Sequence, residues 1–131
     1  MKAHIKAELK KIGVSVVYLF GSRAIGRTSR LSDVDIGVVL KDPMEDTRSS
    51  YKILYELFSA IYPSSSLDIV FLHKASLALQ YFAIKDGKII FEEDPRFTAD
   101  YENRVINQYL DFRPVLDMFD RVAMKRFKNP A

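Results

Sequence analysis

Three carboxylates and one glycine-serine pair carry the chemistry of this sequence. Asp33 and Asp35 stand two apart in Ser32-Asp-Val-Asp-Ile36, Asp68 lies in Ser66-Leu-Asp-Ile-Val70, and Gly21-Ser22 precedes the first pair by ten residues. In a strand successive side chains point to opposite faces, so Asp33 and Asp35 share a face while Val34, Ile36 and Val38 point the other way. Two such carboxylates in an apolar strand repel each other and call for a cation between them. Oxygen-only ligation suits Mg²⁺ or Mn²⁺, which complete their shells with water and substrate phosphates. Gly37, on the same face, adds no side chain there and is read as room for a ligand. Strands are depleted in Asp, which singles out Asp68 as a third acid if its strand neighbours the first. One metal would then lower the pKa of an attacking hydroxyl and another neutralise phosphate, with Asp68 to accept the proton. The plainer reading, Asp68 ending a strand beside three serines, stays open.

Gly21 allows the backbone to approach a phosphate closely, and Ser22 adds a hydroxyl and can begin a short turn whose N–H groups face an anion. Arg23, Arg27 and Arg30 surround that turn; Arg23, nearest to it, is the candidate for a phosphate contact. Gly21-Ser-Arg-Ala-Ile-Gly26-Arg-Thr28 is one residue from a P-loop, with Arg27 where the lysine belongs. A P-loop also needs a long helix after its threonine, and only four residues separate Thr28 from Asp33. The P-loop reading therefore fails on context.

These residues need a scaffold, and the apolar spacing supplies one. A first helix through Ile5, Leu9 and Ile12 ends at Gly13; Val14 to Phe20 is a buried strand, and Asp33 to Leu40 a second. Ser49 to Ile61 is a helix with Ile53, Leu54, Leu57, Phe58 and Ile61 on one face, and Leu67 to Leu72 is a third strand. Ser76 caps a short helix to Ile84, a strand covers Ile89 to Phe91, and Phe97 to Phe127 is helical, with Pro114 expected to kink or divide it. The aromatic stripe Tyr101, Tyr109, Phe112 and Phe119 is read mainly as core against the sheet, its length leaving open some surface for a protein partner. The order predicts an α/β (α+β) fold with a small mixed sheet, flanking helices and a long C-terminal helical segment.

Composition narrows the classes. At 131 residues, 48% hydrophobic and 28% charged, the sequence reads as one globular domain over 1–131. No apolar run approaches the roughly 18 residues that cross a bilayer, and the lysine-punctuated start reads as a helix rather than a leader, so a cytoplasmic protein is expected. With no cysteine there is no thiolate metal site, and His4 and His73 are read as surface or structural residues. A net charge of +3 is too modest for a dedicated nucleic-acid binder and favours a small anion such as a nucleotide, or an acidic protein.

The spacing of Gly21-Ser22, residues 23 to 32 and Asp33-Val-Asp35 resembles the signature of the DNA polymerase β-like nucleotidyltransferase superfamily. The resemblance implies that Gly21, Ser22 and Arg23 hold a nucleoside triphosphate, that Asp33 and Asp35 ligate metal, and that Asp68 is the third acid. Ile25 departs from it, standing where many members carry a basic residue. With Leu67-Asp-Ile-Val70 and Leu110-Asp-Phe-Arg-Pro114, the chain looks like the minimal nucleotidyltransferases (MNT), antitoxin partners of HEPN ribonuclease toxins. That likeness implies ATP as substrate, Mg²⁺ as cofactor, and transfer of AMP onto a tyrosine of the toxin. Transfer to a small molecule, contact-only neutralisation with a residual nucleotide site, and self-association stay open as alternatives.

Overall fold

The computed structural model describes residues 1–21, 34–63 and 66–128, the last part of the terminal helix by backbone alone at several positions. Ser22, Arg23, Arg27, Arg30 and Asp33 lie outside the described residues.

Helix α1 (Ala3–Ile12) buries Ile5 and Leu9, one helical turn apart, and stops at Gly13, whose left-handed φ of 94° lets its N–H return to Leu9 and Lys10. Strand β1 (Val14–Phe20) is buried almost throughout because both of its faces are covered. Strand β2 (Val34–Leu40) runs antiparallel to it, Phe20 opposite Asp35 and Tyr18 opposite Gly37. Helix α2 (Thr47–Ile61) begins at Asp46, whose carboxylate accepts the N–H of Arg48. Strand β3 (Leu67–Phe71) returns parallel to β2, as expected across a helical crossover. A 3₁₀ turn (Leu72–Lys74), α3 (Leu77–Asp86, capped by the Ser76 hydroxyl), β4 (Lys88–Glu92) and α4 (Pro95–Lys128) complete the order. The mixed sheet runs β3-β2-β1-β4.

Two apolar layers sandwich this sheet. Val17 and Leu19 of β1 and Ile36, Val38 and Leu40 of β2 face Leu9, Leu54 and Phe58 of α1 and α2. Val16 and Tyr18 of β1 and Val39 of β2 face Leu72, Ala83, Tyr101 and Val105 on the α3/α4 side. The second layer is pinned by two phenols: Tyr18 donates to Glu102 at 2.8 Å and Tyr101 to Gln80 at 2.8 Å. No helix among the described residues is long and apolar enough to cross a membrane.

Two expectations need correction. Pro114 does not divide the last helix, which is continuous from Pro95 to Lys128; Pro114 is exposed, so the carbonyl one turn back that loses its N–H partner can turn to water. Ile53, counted with the buried face of α2, is exposed, and Ser50 lies inward instead.

Candidate active site

The site lies where β1 ends and β2 and β3 begin, on the sheet face that α3 and α4 cover further along. Three residues stand abreast there, one per strand: Phe20, Asp35 and Asp68. Side chains of paired residues share a face, and adjacent strands are about 4.8 Å apart, so Asp35 and Asp68 occupy neighbouring positions on one face of the sheet. Asp35 is half-buried and Asp68 exposed.

Gly21 turns the chain away at the end of β1. Its φ of 78° is left-handed, and a Cβ built on it would lie 2.2 Å from Oδ2 of Asp35. The Asp35 carboxylate thus fills the space that any side chain at position 21 would take. The glycine is required both by its torsion and by the acid folded against it.

Gly37 works differently from the sequence expectation. A Cβ there would meet Leu72 Cδ1 at 2.7 Å and Phe20 Cε1 at 3.2 Å, so the space is filled by packing and is not a ligand pocket. Leu72 arrives from the 3₁₀ turn after β3 and is fully buried. Behind the carboxylates the site therefore has an apolar wall of Phe20 and Leu72, with Tyr18 beyond it on the same face. Burial pushes the Tyr18 phenol far above its ordinary value, and the hydrogen bond to Glu102 adds to this, so it stays neutral and structural. Sequence reasoning missed Phe20 and Leu72 because a strand end and an apolar turn residue look like ordinary core; the alternation that put Asp35 and Gly37 on one face was the available signal.

Among the described residues no three His, Cys, Asp or Glu side chains form a metal-sized cluster. Asp35 and Asp68 nonetheless put carboxylates at paired positions of adjacent strands, a donor type that fits a hard divalent cation, with Asp33 outside the described residues. The concavity of about 460 Å³ on the opposite face, walled by Met1, Lys2, Ile5, Ile61, Tyr62 and Ile90, has no acidic side chain and none of this chemistry.

Residues 3–96 match the family described as polymerase beta, nucleotidyltransferase, and the chain belongs to it. It is 35% identical over 75 residues, 57% of its length, to the protein adenylyltransferase MntA of Shewanella oneidensis. The matched stretch is 52% of that protein, so the chain spans about half the length of the curated relative it matches. In fold it is similar to a chain of a toxin–antitoxin crystal structure with AMP-PNP (TM-score 0.71, 22% identity, 91% of this chain and 98% of that one). It is likewise similar to a chain of the complex of tri-AMPylated Shewanella oneidensis HEPN toxin with MNT antitoxin (TM-score 0.66, 22% identity, 95% and 99%).

Proposed function

We propose that this chain, as one domain over residues 1–131 and in the cytoplasm, transfers AMP from ATP to a tyrosine hydroxyl of a HEPN toxin and so acts as its antitoxin. The observation that carries the reading is the register of Asp35 with Asp68 beside the Gly21 corner, in a chain of the nucleotidyltransferase family. The protein adenylyltransferase name of the relative and the AMPylated toxin in the similar complex support the choice of AMP and of a toxin as acceptor.

Gly21 opens the corner to the triphosphate, and Ser22 and Arg23 hold its phosphates. Asp33, Asp35 and Asp68 are the residues to hold Mg²⁺ or Mn²⁺, which when bound neutralises phosphate charge and eases ionisation of the acceptor hydroxyl. Asp68, the exposed acid, takes the tyrosine proton. The phenolic oxygen then bonds to the α-phosphorus, the bond from that phosphorus to pyrophosphate breaks, and pyrophosphate leaves in line. Phe20 and Leu72, packed at Gly37, place apolar surface next to the half-buried Asp35, which strengthens its interactions with charge.

The test is intact-mass analysis of a HEPN toxin incubated with the chain, ATP and Mg²⁺. One or more AMP increments are expected on the toxin. Asp35→Asn and Asp68→Asn should each slow labelling by roughly a hundredfold or more without unfolding the chain. Chelation of divalent cations should stop it. A toxin neutralised without ATP, and equally well by Asp35→Asn, would make the chain a contact-only antitoxin and refute the transfer.

A further inference from the structure

Helix α4 is far longer than the sheet it lies on. Its 34 residues span about 51 Å at 1.5 Å per residue, against about 23 Å for the seven-residue strands. Over its first half the buried positions follow a seven-residue phase, with Thr98, Tyr101 and Val105 only 4%, 2% and 2% exposed. Tyr109 then stacks on Tyr81 at 4.0 Å between ring centroids. Past Gln108, which is polar and exposed, the phase resumes in the sequence at positions 112, 115, 119 and 122. Among the described side chains Phe112, Val115 and Val122 are 46%, 37% and 45% exposed, and Met118 beside them 54%. Asp111 and the positions of Arg113, Asp117 and Arg121 complete the polar surround.

A stripe that runs about three further turns beyond its support has the form of a coiled-coil seam. The charges beside it say how it pairs. When two such helices lie antiparallel with position 112 against 122 and 115 against 119, the flanking positions bring Asp111 of one copy to Lys125 of the other, twice by symmetry. In a parallel pair the flanking positions that face Asp111 and Lys125 hold Leu116 and Pro130, with no opposite charge. We propose that the distal half of α4 is the dimerisation surface of this protein, pairing antiparallel with a second copy of the same chain. The inference rests on the helix alone and is independent of the catalytic reading.

The chain has no cysteine, so single cysteines report the geometry cleanly. Sedimentation of the full chain should show a reversible monomer–dimer equilibrium. Phe112→Glu or Val122→Glu should weaken it at least about tenfold. Asp111→Lys and Lys125→Asp should each weaken it, and the two together should restore it. Met118→Cys, placed next to the two-fold axis, should give a disulfide-linked dimer with oxidised glutathione, and Arg113→Cys on the polar arc should not. Unfolding curves establish that each variant is folded. A chain that stays monomeric throughout, or a dimer indifferent to the charge reversals or linked through position 113 instead of 118, overturns the proposal.

Discussion

Gly21 holds φ at 78° while the Asp35 carboxylate occupies the place of its missing Cβ. Alanine there meets two penalties of different kinds. The left-handed torsion costs roughly 1–2 kcal/mol, and the new methyl displaces the acid that the proposed chemistry depends on. Gly21→Ala is therefore expected to lower urea stability by that modest amount and AMP transfer by much more. Gly37→Ala should reverse the order. Its methyl lands 2.7 Å from a buried Leu72 methyl, and overpacking of this sort costs about 1–3 kcal/mol. Labelling by the folded fraction of Gly37→Ala should fall less than for Gly21→Ala; a Gly37→Ala chain of full stability that no longer binds nucleotide would restore the ligand-pocket reading of Gly37. The contrast marks what single residues disclose. Alternation along β2 puts Asp35 and Gly37 on one face, but an absent side chain in a sequence does not tell whether solvent or a returning leucine fills the gap.

The elements titrate in ways that single residues do not. Asp46 caps α2, and the N–H and then the side chain of Arg48 hold its carboxyl below the ordinary 3.8. A carboxyl depressed by folding stabilises above its unfolded pKa, and the effect is lost as pH falls through the lower folded value. The urea midpoint should thus drop in acid less steeply for Asp46→Asn, since Asn caps without titrating. His73, in the turn after β3, shows the basic counterpart. Burial, assisted by the charge of Lys74 and opposed by a backbone contact with Val38, holds its imidazole below 6.5. Its neutral form is complete above pH 6.5, and stability is lost as pH falls below that value, because the unfolded chain takes the proton first. Comparing chemical melts at neutral and mildly acid pH, the acid-side loss should shrink in His73→Phe. At this scale the sequence was informative where signals are local. Val14 to Phe20 matches β1 residue for residue, and Gly13 and Ser76 end and begin their helices as capping chemistry dictates. The expected start at Ser49 passes over the Asp46 cap because the apolar period of α2 begins only at Ile53, and Pro114 does not break a helix whose solvated back lets water take the freed carbonyl.

The whole molecule decides what no window of sequence contains: which strands lie side by side. Asp68 stands beside Asp35 only because β3 returns parallel to β2 in the register 35 to 68. A slip of one residue would turn Asp68 to the opposite, α1/α2 face. The same nonlocality governs α4, whose apolar phase resumes in its second half while its burial does not. Its first half shares the α3/α4 core and the Tyr18–Glu102 bond, so those amides open only with the sheet. Beyond Tyr109 the described apolar side chains Leu110, Phe112, Val115, Met118 and Val122 are exposed, and a segment of under twenty residues with a proline inside it is marginal on intrinsic propensity alone. Hydrogen exchange in dilute solution should therefore divide α4 in two. Slow exchange near the global unfolding limit is expected through Val105, and fast exchange from Phe112 onwards. Raising the protein concentration should slow the distal amides and leave the proximal ones unchanged, because only the distal seam gains a partner by mass action. Uniform slow exchange along the whole helix at high dilution would show that the distal half is held within one chain, and the division argued from burial would be wrong.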